Sequence, residues 1–383
     1  MNKIKLLKAS PFYQDAIDNF YNTTIGLKEE TYQNQYKVLM GSMWGWADFW
    51  KKNLENTDTF EVEEIITNCG YLQKKWASEN NITYSYNNWL LEILYHQILQ
   101  FKPDVFFAHD YWNITPDFIK RVRKNCPEIK LVMSWDGIGK NDANLFSECQ
   151  LMLSCLNYVC DFYRNNGAEA YYFPPAFEET INNKLTFTEK KYDFTFVGSI
   201  FTGNGGHNKR KNDIMELLRK TPLKLWSKDI DNQNWKPYKY PQRQRLKQLK
   251  FKEFYDMYLL GSKCKGAASG LEMYQLLADS KITFNSHIDV AKNFAANMRL
   301  FEATGVGTCL LTDWKENISD FFEPETEVVT YKSIDECANK VKYLLKHPEI
   351  AEEIAKKGQQ RTITNHTFKV RLTKFSNYLI HLI

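Results

Sequence analysis

The sequence predicts an α/β protein built from two doubly wound domains. Between residues 37 and 173, strand-like segments alternate with helix-like segments, and the same alternation resumes between residues 192 and 311. A break at residues 173–177 separates the two runs, because its two consecutive prolines force an extended connection. Alternating strands and helices form parallel sheets with helices on both faces, so each run predicts one Rossmann-like domain.

The length and charge of the chain fit this fold class and limit the kinds of partner that we expect. At 383 residues, the chain is too long for one typical core and fits two domains. A net charge of +4 permits an anionic substrate without demanding nucleic acid, and we expect no nucleic-acid partner. No apolar stretch approaches the roughly 18 residues that span a bilayer, and no signal peptide is recognisable. We expect a cytoplasmic protein that at most contacts the inner face of an anionic membrane.

The eight cysteines indicate buried thiols. They form no Cys-x-x-Cys pair, and the three between residues 149 and 160 have no histidine nearby. Most lie in apolar stretches, which favours reduced, buried side chains over disulfides or a zinc site. No metal site is expected elsewhere.

In the first domain, the pattern predicts a strand before each helix. Pro116 marks one helix start, because proline is favoured at the first helical position. The predicted elements are strand 36–41, helix 44–54, strand 62–67, helix 89–101, strand 103–108, the helix from Pro116, and strands 129–134 and 150–154.

The second domain repeats the alternation, and a terminal helix follows it. Ser333 and Glu336 have capping-box spacing, while Pro348 and Gly358 bracket one more helix. We place the domains at residues 1–176 and 177–365, with a helix at 366–383 whose apolar stripe is compatible with crossing back to the first domain. The other predicted elements are strand 192–198, helix 208–219, strand 223–227, helix 269–278, strand 281–285, helix 294–304 and strand 306–311.

The most informative stretch is residues 297–313, which runs from a helix through glycines into a buried strand. Arg299 and Glu302 are three residues apart and therefore share one helix face. Gly305 stands where a helix end needs a positive φ angle. A guanidinium can pair with phosphate and a carboxylate can accept from ribose hydroxyls, so the pair suits a nucleotide. An ordinary surface ion pair is the alternative.

This stretch resembles the C-terminal domain of GT-B glycosyltransferases, in particular the CgeB-like, spore-maturation-type group within the group 1-like families. The resemblance is clearest from about residue 280 to about residue 375. It implies two Rossmann-like domains that face across a cleft, with donor nucleotide in the C-terminal domain and acceptor in the N-terminal one. It further implies a nucleotide-sugar donor, a glycan, lipid-linked or small-molecule acceptor, a nucleoside diphosphate product, no cofactor or metal, and retention at the anomeric carbon. It also assigns Glu302 to the ribose of the donor.

A glycine-rich loop at residues 198–211 follows a predicted strand and precedes a helix. Gly198, Ser199, Gly205 and Gly206 would let backbone amides approach a phosphate, and the helix start adds partial positive charge. The resemblance assigns such a loop to the diphosphate. Lys209 and Arg210 add charge, with Arg210 preferred, whereas the alternative is an ordinary surface loop.

One part of the family pattern is missing. Related retaining enzymes carry a second glutamate eight positions before the ribose glutamate, and here that position is Phe294. Asn293 and Asn297 are the nearby polar residues, and we assign Asn297 to the donor together with the backbone amides of residues 295–297. CgeB-like sequences do not need the absent glutamate.

Two strand ends in the first domain carry candidate catalytic residues. His109 lies where some retaining GT-B enzymes place a histidine against the donor sugar; the alternative is a structural histidine next to an N-capping Asp110. Asp136 follows another strand and would be the general base of an inverting enzyme, although a turn carboxylate before glycine is the usual explanation. Arg299 would stabilise the leaving diphosphate.

A basic stretch at residues 236–252 contains seven lysines and arginines and no acidic residue. It suits anionic lipid headgroups, a phosphorylated acceptor or a solvated helix face, and we favour the solvated face. The same stretch motivates the alternative of a non-catalytic scaffold that binds glycan or nucleic acid.

Overall fold

The structure is a computed structural model that describes residues 3–45, 47–200, 208–230 and 251–383. The chain divides into two compact units. The first comprises Met1–Pro174 together with Phe368–Ile383, and the second comprises Pro175–Thr367. The unit boundaries therefore fall at 174/175 and 367/368, where the sequence suggested 176/177 and 365/366.

The first unit contains a six-stranded sheet in the order β2-β1-β3-β4-β5-β6, and all its strand pairs are parallel. The order reverses between β1 and β3, and this reversal is the switch point of a doubly wound sheet with helices on both faces. The strands are β1 (Ile4–Ser10), β2 (Phe60–Ile66), β3 (Val105–Ala108), β4 (Leu131–Trp135), β5 (Leu151–Ser154) and β6 (Glu169–Tyr172).

Helices connect these strands. Several begin where the sequence predicts, including one at Pro116, although Thr115 and not Asp110 caps that helix by accepting from the Phe118 backbone N–H. The helices are α1 (Gln14–Thr23), α2 (Tyr32–Gly41), α3 (Phe49–Glu55), α4 (Gly70–Glu79), α5 (Trp89–Phe101), α6 (Pro116–Asn125) and α7 (Asn157–Asn165).

The predicted strand at residues 36–41 is wrong, because these residues form the second half of α2. Thr31 caps this helix by accepting a hydrogen bond from the backbone N–H of Asn34. Leu39 and Met40 are buried. A short apolar run such as this one suits a strand and a buried helix equally well, so its length alone misled the assignment. The helix predicted at 44–54 is shorter and begins at Phe49.

The second unit contains a five-stranded parallel sheet in the order β11-β10-β9-β7-β8. Its strands are β7 (Tyr192–Val197), β8 (Leu223–Trp226), β9 (Ser280–Asn285), β10 (Cys309–Asp313) and β11 (Val329–Tyr331). Its helices are α8 (Asn208–Lys220), α9 (Phe251–Lys263), α10 (Gly270–Ala278), α11 (Arg299–Gly305), α12 (Ile334–Lys346) and α13 (Pro348–Asn365). The predicted doubly wound α/β class is thus confirmed for both units.

Three glycines of this unit have roles that spacing did not reveal. Gly305 is not at positive φ; it is the last residue of α11, and an added Cβ would lie 2.5 Å from the Phe177 ring. The positive φ angle belongs to Gly307, at 76°. Gly358 does not end a helix but lies inside α13, where an added Cβ would lie 2.3 Å from the Glu327 carbonyl oxygen.

Helix starts in the second unit agree only in part with the sequence predictions. Ser333 accepts from the Glu336 backbone N–H at 3.2 Å, as a capping box predicts, but the Glu336 carboxylate accepts from the Lys332 N–H. The helix predicted at 294–304 begins only at Arg299.

The terminal helix α14 (Phe368–Ile380) packs in the first unit. Its buried stripe is Phe368, Leu372, Phe375 and Leu379, whereas Leu382 is exposed. The Phe375 ring lies 5.6 Å from Trp50 and 5.7 Å from Phe173, centroid to centroid. These aromatic contacts tie the end of the chain to the unit formed by its beginning.

All eight cysteines are buried free thiols, as predicted. Burial raises the pKa of several of them, including Cys309 to about 12, so they are protonated at neutral pH. Among the described residues, none of the helices is both long and apolar enough to traverse a bilayer.

Candidate functional site

The carboxyl edge of the second sheet collects most of the predicted polar residues. β7 ends at Val197, β9 at Asn285, β10 at Asp313 and β11 at Tyr331, and these ends are neighbours because all five strands are parallel. In doubly wound sheets, ligands bind at this edge. Arg299, Glu302, Arg210 and Asn297 all reach it through contacts described below.

Arg299 is anchored at the end of β7. Its guanidinium donates to the Val197 carbonyl oxygen at 3.0 Å and to the Glu302 carboxylate at 2.9 Å, while Nη1 also lies 3.2 Å from the Met273 sulfur. The ion pair with Glu302 confirms that the two residues share one face of α11. These contacts hold a positive charge at the sheet edge with little freedom to move.

Glu302 is 6% exposed, so the pair is enclosed rather than a solvated surface pair. Tyr274 of α10 donates its hydroxyl to Glu302 Oε1 at 3.4 Å. Burial, with the Glu302 charge nearby, raises the pKa of Tyr274 well above its usual value, so the hydroxyl remains a donor. Because a carboxylate has about four acceptor sites, Glu302 retains acceptor capacity for a ligand hydroxyl.

Arg210 is a second guanidinium at this edge and, unlike the partly buried Arg299, it is buried. It lies in α8 and donates to the Ser199 carbonyl at 3.0 Å and to the Ser286 carbonyl, which joins the segments that follow β7 and β9. Burial lowers the pKa of Arg210 to about 10, and the nearby Arg299 charge adds to this effect although Asp313 opposes it. Arg210 is therefore still cationic at neutral pH.

The glycine-rich loop is described only in part. Gly198 has a φ angle of 155°, a backbone conformation that essentially only glycine adopts. Ser199 contributes its carbonyl oxygen to Arg210, and Lys209 is exposed. Gly205 and Gly206 lie outside the described residues, so their predicted phosphate role stays a prediction.

Asn297 is fixed to the end of β9. Its amide donates to Asn285 Oδ1 at 2.8 Å, and Asn285 in turn donates to Thr312 at 2.9 Å. The Ala295 backbone N–H, which we assigned to the donor, instead donates to Asn317 Oδ1 at 2.6 Å. That amide is consequently occupied by the protein itself.

His287 and Asp313 form a pair that the sequence reasoning missed. His287 Nδ1 lies 2.6 Å from Asp313 Oδ1, and the His287 backbone N–H donates to the same oxygen at 3.0 Å. The two residues are 26 positions apart and follow neighbouring strands. Two polar residues at the ends of adjacent predicted strands were the available signal.

In the first unit, His109 also lies at a carboxyl strand edge, after β3. Its Nδ1 lies 2.9 Å from Ser10 Oγ, and the residue is 7% exposed. Burial, followed by the Lys8 charge, lowers the pKa of His109 well below 6.5. The imidazole is therefore neutral near pH 7, which suits hydrogen bonding better than acid catalysis.

Asp136 is fully buried and its carboxylate has four hydrogen-bond donors. These are the backbone N–H groups of Ile138, Lys140 and Asn141, at 3.3, 3.0 and 3.1 Å, and the Tyr163 hydroxyl at 2.9 Å. A general base needs an accessible lone pair towards its substrate. The contacts favour the turn-carboxylate explanation over the catalytic one.

Two predicted features give no information on the site. Nearly all of the basic stretch 236–252 lies outside the described residues. Within the described part of the chain, no group of three or more histidines, cysteines and carboxylates is placed to hold a metal ion.

Comparisons with known proteins agree with this architecture. Residues 210–377 match a family model described as glycosyl transferase-like. A search of curated proteins found no significant match. Among solved structures, HepE of Anabaena in complex with UDP-glucose has 10% identity and a TM-score of 0.59, covering 99% of this chain and 100% of that one.

Two further solved structures have the same architecture. Sucrose-phosphate synthase of Thermosynechococcus elongatus has 11% identity and a TM-score of 0.57, covering 99% of each chain. A glycosyltransferase of Rickettsia africae has 10% identity and a TM-score of 0.57, covering 100% of this chain and 99% of that one. The chain therefore has the GT-B fold, and residues 210–377 are similar to the glycosyl transferase-like family.

Proposed function

We propose that this chain, a glycosyltransferase with the GT-B fold, binds a nucleotide-sugar donor at the carboxyl edge of its second sheet and transfers the sugar to a hydroxyl group. The acceptor is a glycan, a lipid-linked sugar or a small molecule. One observation carries the proposal: the buried guanidinium group of Arg210 and the partly buried one of Arg299 are held at one sheet edge next to Glu302.

Two enclosed cations at one edge favour a ligand with more than one negative charge. Desolvation and mutual repulsion both destabilise a pair of buried charges, and an anion relieves both. In the proposed complex, Arg299 and Arg210 pair with the diphosphate. Glu302 accepts from the ribose hydroxyls, to which it offers acceptor sites beyond those used by Arg299 and Tyr274.

The same charges supply the catalytic effect that we propose. When the bond between sugar and diphosphate breaks, negative charge grows on the leaving phosphate, and preorganised cations stabilise that charge. We propose that the guanidinium groups take the part that a divalent cation has in other transferases, which makes the transfer metal-independent. The resemblance of residues 280–375 supports retention at the anomeric carbon.

The donor base is proposed from a structural neighbour. HepE was crystallised with UDP-glucose, and we take a uridine diphosphate sugar as the first donor to test. In the first unit, the neutral His109 would contribute a hydrogen bond to a sugar hydroxyl, and this unit would bind the acceptor. Asp136 has no catalytic part in this proposal.

Thermal unfolding with a panel of UDP, GDP, dTDP, ADP and CMP tests the proposal. A ligand that binds only the folded state at 100 times its Kd stabilises it by about 2.7 kcal/mol. We expect one nucleotide to raise the melting temperature of the wild type. Two substitutions of Glu302 should raise the Kd of that nucleotide about 10- to 100-fold, because hydrogen bonds to a charged group are lost. They are Glu302→Gln, which keeps the shape of the side chain, and Glu302→Ala.

A matched control comes from another ion pair of the same unit. Glu327 accepts from Arg361 at 2.9 Å, and it lies just before β11, on the amino side of the sheet. Glu327→Ala should lower the melting temperature without ligand and keep the rise that the nucleotide induces. If no nucleotide shifts the wild type, the donor site proposed here does not exist.

A further inference from the structure

The His287–Asp313 pair lies at the carboxyl sheet edge of the proposed donor site, where β9 and β10 end. The His287 side chain is completely buried, in the segment that follows β9. Asp313 Oδ1 accepts both from its ring, across 2.6 Å, and from its backbone N–H, across 3.0 Å. Two contacts to one oxygen fix both the position and the orientation of the imidazole.

The protonation state of Asp313 determines which ring nitrogen carries hydrogen. Burial alone would raise the pKa of Asp313, but the His287 charge and hydrogen bond, Lys315 and the His287 backbone N–H together lower it to about 2. Lys315 Nζ lies 3.2 Å from Asp313 Oδ2. An ionised carboxylate only accepts, so Nδ1 must be the nitrogen that donates to it. Nε2 takes no part in the bond to Asp313 and is therefore the ring nitrogen that can contact a ligand.

Nε2 of His287 is buried and has no hydrogen-bond partner among the residues that the structure describes. Buried polar side-chain atoms are nearly always satisfied, and an exception calls for a ligand, a water molecule or a cost in stability. Here the atom belongs to a ring that its partner holds in one orientation. This combination is typical of a group kept ready for a ligand.

The neighbouring charges indicate which ligand. Ser286, the residue before His287, accepts from the Arg210 guanidinium, and Asp313 and Arg299 both act on the Arg210 charge. His287 therefore directly follows a residue that Arg210 contacts, and its partner Asp313 acts on the same guanidinium charge, to which we assign the diphosphate. An oxygen of a phosphate group beside the ring would accept a hydrogen bond from Nε2 when that nitrogen carries a hydrogen.

We propose that His287 binds the diphosphate of the donor through Nε2 and that Asp313 is the positioning residue for its ring. This inference rests on the proposed function. The ring is enclosed without ligand, so binding requires small movements of the side chains around it. The hydrogen bond from Nε2 then strengthens as the leaving group gains charge.

The step balances without a further reactant. The bond between the anomeric carbon and the diphosphate oxygen breaks, and its electron pair stays on the phosphate. The acceptor oxygen forms a new bond to the anomeric carbon and releases its proton to solvent. His287 keeps its proton throughout and acts only as a hydrogen-bond donor.

Two substitutions at one position separate the ring nitrogens. In His287→Asn, the amide nitrogen takes the place of Nδ1 and keeps the bond to Asp313, but Nε2 is gone. In His287→Gln, the amide nitrogen reaches the place of Nε2, while the bond to Asp313 is lost. The Kd values of UDP and uridine, measured by calorimetry on the full chain, report separately on the diphosphate and the nucleoside.

We expect His287→Asn to raise the Kd of UDP about tenfold or more, which corresponds to about 1.4 kcal/mol, and to leave the Kd of uridine within about twofold of wild type. His287→Gln should regain part of the UDP affinity. Turnover of UDP-glucose should fall in His287→Asn through kcat, because the bond is strongest to the leaving group.

Other outcomes overturn the inference in distinguishable ways. If His287→Asn binds UDP like wild type, Nε2 does not touch the diphosphate. If UDP and uridine weaken equally, the role of His287 is structural. If His287→Asn does not fold, a His287→Gln variant that weakens UDP binding but not uridine binding supports the assignment. Wild-type UDP affinity in His287→Gln, or equal loss of UDP and uridine affinity, contradicts it. If wild type binds no nucleoside diphosphate, the proposed function fails and this inference with it.

Discussion

At the residue level, the buried charged groups of the two sheet edges differ in what surrounds them. Asp136 in the first unit is enclosed by four donors, which are three backbone N–H groups of its own loop and the Tyr163 hydroxyl. Arg210 and Arg299 in the second unit are cations close enough to affect one another. The first arrangement stabilises a turn, whereas the second is stabilised further by a bound anion.

Asp136→Asn distinguishes the two explanations for this carboxylate. The NH2 group of the new amide would face at least one of the four donors that now bond to the carboxylate, so a buried hydrogen bond is lost. We expect the free energy of unfolding to fall by about 1–3 kcal/mol. At temperatures well below the melting temperature, kcat for donor turnover should be nearly unchanged. Thermal unfolding and donor turnover measure the two quantities.

The control for this variant lies in the same loop. Asp142 is exposed and accepts from the Asn144 and Leu145 backbone N–H groups, so Asp142→Asn should have little effect on either quantity. A fall in kcat of about a hundredfold or more in Asp136→Asn, with the melting temperature unchanged, would instead identify Asp136 as a general base.

The sequence predicted the residues of the site unevenly, for physical reasons. Arg299 and Glu302 could be paired from spacing, because one helical turn places them together whatever the rest of the fold does. His287 and Asp313 come from different strands, and their contact depends on the order and register of the sheet. Arg210 was singled out for its charge, but its burial and its carbonyl partners follow only from tertiary structure.

At the level of helices and strands, the errors lie where local pattern and tertiary packing disagree. The segment at residues 36–41 has the composition of a strand but completes α2. Gly358 looks like a helix terminator, yet α13 continues through it to Asn365. In both cases the burial of one face decided the structure, and sequence period over a few residues does not reveal burial.

Gly358 provides a quantitative test of this explanation. Alanine is the better helix former by about 1 kcal/mol, but its Cβ would lie 2.3 Å from the Glu327 carbonyl oxygen. We expect Gly358→Ala to lower the free energy of unfolding by about 1–3 kcal/mol because overpacking outweighs propensity. Denaturant unfolding followed by circular dichroism measures it.

Gly41 is the matched control, since it is also helical and an added Cβ there would meet nothing within 4 Å. Gly41→Ala should lower the free energy of unfolding by less than about 0.5 kcal/mol. If Gly358→Ala is as stable as wild type, the packing of α13 against the Glu327 backbone is looser than described.

At the level of the whole molecule, the alternation of strands and helices was sufficient to predict two parallel α/β sheets. The prediction succeeded because βαβ connections leave few topologies open. The consecutive prolines lie at the boundary of the two units, and α14 belongs to the first unit through its aromatic contacts. Structures with this fold share only 10–11% of their residues with this chain, so the fold does not depend on most individual residues.

We propose that the donor nucleotide binds at the carboxyl edge of the second sheet. The amino edge of the same sheet offers an internal comparison, a groove that includes Lys190, Gly307 and Gln359. A nucleotide bound at one edge should leave the backbone amides of the other unaffected, since the strands themselves separate the two edges.

Hydrogen–deuterium exchange of the full chain, with and without saturating UDP, tests this claim most directly. We predict slower exchange at residues 198–200, 286–288 and 299–303, by up to about 100-fold at a UDP concentration of 100 Kd, and no change along the amino-edge groove. Protection that is confined to the amino-edge groove or to the first unit would contradict the assignment of the donor site.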